Sequence, residues 1–285
     1  MQSETIELSN GKLSKNMIKK YKEDGFLFPI NIFNYKEALN LRTELEKIEQ
    51  KYSKIKLPKP LNDYKRGPAN AVIPLVADIA KDNRILDIVE CILGSNILVW
   101  AAEFFIKEKK TDNIVGMHQD LTYWGMGETS GQVTAWLALS DSNKNSGCME
   151  FVKGSHKNKI LPHNETYSKK SLLSRGQEVQ VRIPNNKKIS AELLPGQMSI
   201  HHGLMIHGSG PNISNDRRIG VAIRYINPDV VQNTKKSYAM PVRGIDKKGN
   251  FTHYFAPKTL FSEFNLKLHE EICENQHKVT STTKN

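Results

Sequence analysis

"HHGLMIHGSGPNISNDRRIGVAIRY", residues 201 to 225, has the pattern of a β-hairpin with one packed face and one open face. An apolar run ends at His207, turn-forming residues follow, and "RRIGVAIRY" forms the return strand. Alternate residues of a strand share a face. One set is mostly apolar: Arg217, Ile219, Val221, Ile223 and Tyr225. The other set is small or charged: Arg218, Gly220, Ala222 and Arg224. The first set predicts a packing surface, and the second leaves space beside an arginine.

The run "GQVTAWLALS", residues 131 to 140, shows the same division into two faces. One face is apolar: Val133, Ala135, Leu137 and Leu139. The other face is partly polar: Gln132, Thr134 and Trp136. Strands with one apolar face and one roomier, partly polar face are typical of a β-barrel that encloses a site.

Helical patterns flank these strands. Ser14 is predicted to cap a helix that ends at Gly25, and Asn34 to cap a helix over 35–52. Shorter helices are expected near 72–80 and 83–93, and a small one over 164–174. A last helix near 258–275 is predicted to present four apolar residues on one face: Leu260, Phe264, Leu268 and Ile272.

Short strand-like runs bounded by Gly, Asn, Asp and Pro begin at about residue 95. We therefore expect a mainly β fold with flanking helices, arranged as a β-barrel or jelly roll. All 285 residues are expected to form a single domain. Its parts would be a mainly helical segment 1–94, a β-barrel core 95–226, and a C-terminal extension 227–285 that contains the last helix.

The composition, 38% hydrophobic and 25% charged, is typical of a soluble globular protein. Three cysteines without C-x-x-C spacing argue against a disulfide framework and against a zinc site. The N-terminus has no apolar leader pattern, and the most apolar stretch is interrupted by Asp87, Glu90, Ser95 and Asn96. We therefore expect a cytoplasmic protein without a membrane partner.

The net charge of +11 is concentrated in one segment. Residues 151 to 190 contain 9 basic and 2 acidic side chains, and aromatic residues are not regularly interleaved with the basic ones. A nucleic-acid partner is therefore not expected, although the charge alone suggests a basic RNA-binding accessory as one rival function. Two interpretations of residues 153–188 stay open: a solvated, lysine-rich loop, or a mobile lid that attracts an anionic substrate.

A second decisive stretch is "HQDLTYW", residues 118 to 124. In a strand, His118 and Asp120 would project side by side. With His207 they would supply two imidazoles and one carboxylate, the facial triad typical of non-haem iron(II) oxygenases. The planar guanidinium of Arg218 suits bidentate capture of a carboxylate. Together these residues suggest iron and a dicarboxylate co-substrate.

At these residues the chain resembles the phytanoyl-CoA dioxygenase family of Fe(II)/2-oxoglutarate-dependent oxygenases, which have a double-stranded β-helix (jelly-roll, cupin-like) fold. The family pattern is H-x-D, a distal His about ninety residues later, and an Arg eleven residues beyond it. The same order occurs here at His118, Asp120, His207 and Arg218. The resemblance covers roughly residues 95–226, including "SGCMEFVKGSH".

The resemblance implies that His118, Asp120 and His207 are the catalytic iron ligands and that Arg218 binds the distal carboxylate of 2-oxoglutarate. Ser209 and Trp136 match family positions that contact this co-substrate. Thr134, on the strand face of Trp136, is placed in the same co-substrate set. The alternative for Ser209 and Trp136 is an ordinary place in the barrel interior.

The function implied is that of an Fe(II)/2-oxoglutarate-dependent dioxygenase, with ascorbate as an aid in vitro. It would use O₂ to hydroxylate a small or medium organic substrate, an anionic one among the candidates, and release succinate and CO₂. Related halogenases have Ala or Gly in place of the carboxylate ligand, so Asp120 argues against halogenation. The C-terminal "TTKN" is not a peroxisomal signal, so phytanoyl-CoA is not the expected substrate. The alternative is a non-catalytic cupin-like metal- or ligand-binding protein, which would not need Arg218. The substrate, the oxidative outcome and the oligomeric state stay open.

Three further histidines and two aromatic residues have secondary roles. His201 shares the strand parity of His207 and His202 does not, so only one of the two would face the cavity. We expect His201 to support the ligands or the strand rather than to bind metal. His156 is expected to cap the fold. Tyr123 and Trp124 would line the substrate pocket, unless they serve only in packing.

Overall fold

A computed structural model describes residues 5–282 of the chain. Its α-helices are α1 (Lys15–Asp24), α2 (Tyr35–Tyr52), α3 (Leu61–Arg66), α4 (Pro74–Ala80), α5 (Asn83–Leu93) and α6 (Glu263–Thr282). The two predicted caps are confirmed. The Ser14 side chain accepts a hydrogen bond from the amide of Met17, and Asn34 forms a reciprocal capping box with Glu37.

The strands, in chain order, are β1 (Phe26–Asn31), β2 (Ile97–Lys107), β3 (Val115–His118), β4 (Gln132–Ala138), β5 (Met149–Val152), β6 (His163–Glu165), β7 (Gln177–Val179), β8 (Lys188–Ala191), β9 (Gln197–His202), β10 (His207–Ser209), β11 (Arg218–Ile226), β12 (Tyr238–Arg243) and β13 (Thr252–His253). A major sheet has the order β1-β9-β4-β11-β2-β12-β13, and a minor sheet has the order β3-β10-β5-β8. Strands β6 and β7 form a separate hairpin.

The two larger sheets pack face to face. Phe151 of β5 stacks on Phe26 of β1, with ring centroids 4.9 Å apart, and so joins the minor sheet to the major sheet. The predicted mainly β, jelly-roll fold with flanking helices is therefore confirmed. Interior side chains of both sheets enclose the space in which the candidate site lies.

The two faces of β11 have the environments that the alternation of its apolar and polar residues predicts. Its apolar residues are fully buried: Ile219, Val221, Ile223 and Tyr225. They belong to the same hydrophobic cluster as residues of α4 and α5, and the Tyr225 hydroxyl donates a hydrogen bond to the carbonyl of Ala80, 2.9 Å away. The opposite face, with Arg218 and Arg224, is thereby left toward the space between the sheets.

Two predicted helices need correction. No helix forms over 164–174; instead β6 and β7 pair as a hairpin. The Thr166 hydroxyl donates to the carbonyl of Gly176 (2.7 Å), and the Ser168 hydroxyl accepts from the amide of Lys170 (3.3 Å). Such local bonds favour turns over helix.

The last helix starts later than predicted because Ser262 caps it, accepting a hydrogen bond from the amide of Asn265. Leu260 therefore precedes the helix, and Phe264 is 75% exposed, so its predicted place on the packed face is wrong. Ile272 is buried, as expected.

The sheet also takes strands from outside the predicted core of 95–226. β1 comes from the N-terminal part, and β12 and β13 come from the C-terminal part. The organisation as a single domain stays a prediction. Cys91, Cys148 and Cys273 are all free thiols. Within residues 5–282, no helix is both long enough and apolar enough to span a membrane.

Candidate metal centre and active site

Two histidines and one aspartate meet between the sheets. His118 ends β3, His207 begins β10, and the two are partners in the antiparallel register of these strands. One ligand atom each of His118, Asp120 and His207 lies within 4.8 Å of the others, and all three residues are buried. Within residues 5–282, this is the one group of three such side chains that could hold a metal ion.

Asp120 reaches this group by a turn and not by strand alternation. β3 ends at His118, and Asp120 opens a 3₁₀ turn over Asp120–Tyr123, so the predicted strand geometry is wrong although the two side chains are adjacent. His118 Nε2 lies 3.4 Å from Asp120 Oδ1. The buried side-chain amide of Gln119 stabilises this turn. Its Nε2 donates a hydrogen bond to the carbonyl of Leu204 (2.9 Å), and its Oε1 accepts one from the backbone amide of Leu161 (2.8 Å).

Backbone carbonyls orient both imidazoles. His118 Nδ1 lies 2.9 Å from the carbonyl oxygen of Gly116, and His207 Nδ1 lies 2.9 Å from that of Met205. A neutral imidazole that donates from Nδ1 to a carbonyl keeps its lone pair on Nε2. Both rings therefore present Nε2 as a metal ligand, and the donor set fits a divalent metal that prefers imidazole and carboxylate.

The protonation states also suit metal ligation. Burial alone would raise the pKa of the Asp120 carboxyl, but its interactions with His118 and His201 outweigh burial and hold this pKa well below its ordinary value. Burial lowers the pKa of His207 well below its ordinary value. A carboxylate and a neutral imidazole are the forms that bind a metal ion.

Arg218 is a buried cation beside this group. Its Nη1 donates to the carbonyl of Gly147 (2.7 Å), and its guanidinium lies 5.2 Å from the ring centroid of Trp136. Its Nε has no hydrogen-bond partner within the described chain. Burial lowers the pKa of Arg218 to about 10, which leaves the group charged at neutral pH. Such a cation suits an anionic ligand.

Lys107 is a neighbour that sequence reasoning missed. It is the register partner of Arg218 and is fully buried. Its Nζ donates to the Ser209 hydroxyl, 2.7 Å away, and also contacts the carbonyl of Gly210. Burial and the charge of Arg218 lower the pKa of Lys107 to about 6. Because Ser209 accepts from Lys107, its own hydroxyl proton stays available to a ligand. Nothing in the apolar run of β2 indicates that its last lysine turns inward.

An inner cavity of about 50 Å³ brings the three metal-ligand candidates together with all four predicted co-substrate residues. Those four are Thr134, Trp136, Ser209 and Arg218. Thr134 is also tied to the metal group, because its Oγ1 donates to Asp120 Oδ2 at 3.3 Å. Trp136 fits beside Arg218 only because position 220 is glycine: a Cβ there would lie 2.0 Å from Trp136 Cζ2.

The predicted parity of the paired histidines is also observed. His201 is buried in the inner cavity, with its ring centroid 4.6 Å from that of His207 and its Nε2 3.8 Å from Asp120 Oδ2. His202 instead uses Nδ1 to accept a hydrogen bond from the amide of Leu204. His156 Nε2 lies 3.0 Å from the carbonyl oxygen of Lys22, and this contact connects two segments of the fold.

A larger outer cavity of about 290 Å³ shares His118 and Asp120 with the inner one. Tyr123 and Trp124 line it, as the sequence suggests for a substrate pocket. Three residues of segment 153–188 also line it: Leu173, Ser174 and Gln177. The segment thus borders the cavity, as expected of a lid. Four of its cations, however, pair with carboxylates: Lys153 with Asp24, Lys170 with Asp112, Arg175 with Glu165 and Lys188 with Glu150. Attraction of an anion by this segment stays a prediction.

Comparison with known proteins decides the family. The model of the phytanoyl-CoA dioxygenase (PhyH) family matches residues 21–220. The chain belongs to the phytanoyl-CoA dioxygenase family. Among curated relatives, the peroxisomal phytanoyl-CoA dioxygenase of Bos taurus is 27% identical over 234 residues, which cover 76% of this chain and 69% of the relative.

Solved structures agree with this membership. The apo structure of the non-haem monooxygenase ThoJ has a TM-score of 0.84 and 29% identity, and the match covers 94% of this chain and 98% of ThoJ. CytC3 with Fe(II) and alpha-ketoglutarate shares the fold, with a TM-score of 0.63, 20% identity, and coverage of 88% of this chain and 100% of CytC3. Family membership and the likeness to ThoJ place this phytanoyl-CoA dioxygenase family member among the non-haem oxygenases.

Proposed function

We propose that the protein is an Fe(II)/2-oxoglutarate-dependent dioxygenase that hydroxylates a small organic substrate. One observation carries the proposal: the His118–Asp120–His207 group and the cation Arg218 line the same buried cavity. A metal-binding triad alone fits many functions. Among the described residues, no carboxylate pairs with the Arg218 guanidinium. The cavity therefore fits a co-substrate that has both a chelating end and a second carboxylate.

The comparisons support this proposal. CytC3 has the same fold and, by its description, was solved with Fe(II) and alpha-ketoglutarate, so the fold can accommodate both. Phytanoyl-CoA dioxygenase relatives are oxygenases by name. The donor set, the tautomers set by Gly116 and Met205, and the ionised Asp120 support a divalent metal at this position.

In the proposed mechanism, His118 and His207 hold the metal through Nε2, and Asp120 holds it through a carboxylate oxygen. When bound, iron and 2-oxoglutarate supply the oxidising chemistry, with O₂ as oxidant and succinate and CO₂ as products. Thr134 fixes the orientation of Asp120 through its hydrogen bond. Arg218 and the Ser209 hydroxyl bind the distal carboxylate of the co-substrate, and the buried walls exclude water.

The test is succinate formation from 2-oxoglutarate, with iron, ascorbate and O₂ present, across a panel of acyl thioesters, amino acids, aminophosphonates and secondary metabolites. We expect at least one substrate to stimulate succinate formation, and ¹⁸O-labelled dioxygen to place one labelled oxygen in the product. Asp120→Ala should abolish this turnover. The matched control Asp78→Ala removes an exposed carboxylate of α4 and should retain it. Absence of turnover with every substrate would favour a non-catalytic binding protein.

A further inference from the structure

Three charged side chains form a cluster in the wall of the outer cavity: Arg66, Glu103 and Arg224. Glu103 lies between the two arginines. Its Oε1 is 2.5 Å from Arg224 Nη1, and its Oε2 is 3.5 Å from Arg66 Nε. One carboxylate therefore serves two guanidiniums, and the cluster has a net charge of one positive unit.

The remaining contacts of the two arginines do not neutralise this charge. Arg66 donates through Nη2 to the carbonyl of Leu172, and its guanidinium lies 4.5 Å from the ring centroid of Phe105. The Arg224 guanidinium lies 5.3 Å from the ring centroid of Trp124, and its buried Nε has no hydrogen-bond partner within the described chain. Leaving a buried charged donor unpaired is costly, so an anionic ligand at this place would be stabilising.

The cluster of Arg66, Glu103 and Arg224 is a second positively charged group, distinct from the Arg218 guanidinium. Arg218 and Arg224 share a face of β11 but stand six residues apart, which corresponds to a separation of about 20 Å along an extended strand. Arg66 and Glu103 line only the outer cavity, whereas Trp136 and Arg218 line only the inner one. His118, Asp120 and Arg224 line both cavities. The candidate metal centre thus adjoins both cavities, and Arg224 lies where they meet.

The rest of the outer cavity is aromatic. Trp100 and Trp124 lie with ring centroids 4.9 Å apart, and Tyr123 is part of the same wall. A volume of about 290 Å³ lies just below the range of roughly 300–1,000 Å³ that is usual for small-molecule sites. The walls therefore suit a small, apolar or aromatic body.

We infer that Arg66 and Arg224 bind a carboxylate of the primary substrate, whose apolar body lies against Trp100 and Trp124. A singly charged anion neutralises the net charge of the cluster, whereas a phosphonate in its doubly charged form, at a pH above its second pKa, would leave an excess of negative charge. Glu103 orients the two guanidiniums toward one another and keeps the cluster from carrying two positive charges. The inference rests on the proposed function and deepens it, because it names the substrate class of the same site.

Tryptophan fluorescence can test this inference without knowledge of the substrate. All three tryptophans of the chain line the two cavities: Trp100, Trp124 and Trp136. The probes are 3-phenylpropionate, its primary amide, and 2-phenylethylphosphonate, which share the same body. Each is titrated into the anaerobic protein with Fe(II) and 2-oxoglutarate, and again into the protein without them. We expect the carboxylate to bind at least tenfold more tightly than the amide or the phosphonate.

Variants assign this preference to the cluster. Arg66→Gln and Arg224→Gln should each remove it, whereas Arg243→Gln should retain it. Arg243 is a suitable control because it is also an arginine between two carboxylates, Asp87 and Glu90, but outside both cavities. Glu103→Gln should preserve or strengthen carboxylate binding, because the cluster gains positive charge. A merely structural cluster would instead lose affinity for carboxylate and amide alike.

Equal affinity for the carboxylate and the amide, including no binding of either, would overturn the inference. A phosphonate that binds more tightly than the carboxylate would overturn it as well, and so would a preference that survives both arginine changes. Circular dichroism of each variant distinguishes lost binding from lost folding. Because the titration without iron and 2-oxoglutarate needs no turnover, failure of the proposed function would leave the carboxylate preference in place. Failure of the inference would leave succinate formation in place.

Discussion

His118 and His207 face one another across the antiparallel pair of β3 and β10, with imidazole centroids 4.3 Å apart. The two residues are distant in sequence, and sheet pairing alone brings them together. Each ring is oriented by a carbonyl two residues before it, Gly116 for His118 and Met205 for His207. The backbone therefore presets both ligands before a metal binds, as precise metal geometry requires.

The Thr134 hydroxyl is predicted to tune the metal group through Asp120. Thr134→Val keeps the shape of the side chain but removes the hydrogen bond to Asp120 Oδ2. Loss of such a supporting bond typically weakens metal affinity by about 10- to 100-fold, and we expect a decrease of this size in Fe(II) binding by anaerobic titration. Thr43→Val, at an exposed position of α2, is the control. Unchanged Fe(II) affinity in Thr134→Val would contradict this role.

Arg218→Lys should raise the KM for 2-oxoglutarate more than tenfold, because a single ammonium cannot replace the planar fork of a guanidinium. Arg217→Lys is the matched control, since Arg217 lies on the opposite side of the strand and pairs with Glu49 and Glu108. Arg217→Lys should change the stability of the fold only slightly and leave the KM for 2-oxoglutarate unchanged. The reverse pattern in steady-state kinetics would show that the wrong arginine has been assigned.

Asp120→Gly should stop hydroxylation and open a metal position to halide, by analogy with the related halogenases. The measurement is succinate formation and product mass with and without chloride. Asp112→Gly, at an exposed residue that pairs with Lys170, should behave like the wild type. Full hydroxylation by Asp120→Gly would mean that Asp120 is not a metal ligand.

Gly220→Ala should displace the Trp136 ring from its position in the cavity wall. The added Cβ would lie 2.0 Å from Trp136 Cζ2, and overpacking of this kind costs about 1–3 kcal/mol. We therefore expect a lower midpoint of thermal unfolding and weaker 2-oxoglutarate binding. Gly210→Ala is the control, because nothing lies within 4 Å of its Cβ position. Equal unfolding midpoints for Gly220→Ala and Gly210→Ala would show that the interior accommodates the added methyl group at position 220 without loss of stability.

Local patterns in the sequence predicted much of the fold, and the family resemblance named residues that the structure brings together between the sheets. Capping residues marked α1 and α2, and strand parity separated the packed face of β11 from the face that holds Arg218. Parity also placed His201 and not His202 inside. These features depend on neighbours within one element, so a single sequence contains the information for them.

Several features that depend on contacts between distant elements were not predicted. The turn at Asp120 is held by Gln119 through Leu161 and Leu204, and no local pattern shows these bonds. Likewise, parity put Arg224 on the cavity face, but its pairing with Glu103 needs the register of β11 with β2. The inward orientation of Lys107 also depends on the register of β11 with β2, so it was not predicted. The role of each site residue stays a prediction until ligands are bound.

The central claim is most directly tested by the visible spectrum of the anaerobic protein with Fe(II) and 2-oxoglutarate. Direct chelation of iron by the keto acid predicts a weak metal-to-ligand charge-transfer band. The band should be absent from His118→Ala, Asp120→Ala and His207→Ala variants whose circular dichroism shows them to be folded, and present in the control His253→Ala, at an exposed position of β13. Absence of the band from the wild type, or its survival in all three ligand variants, would contradict the assignment of this site as an Fe(II)/2-oxoglutarate centre.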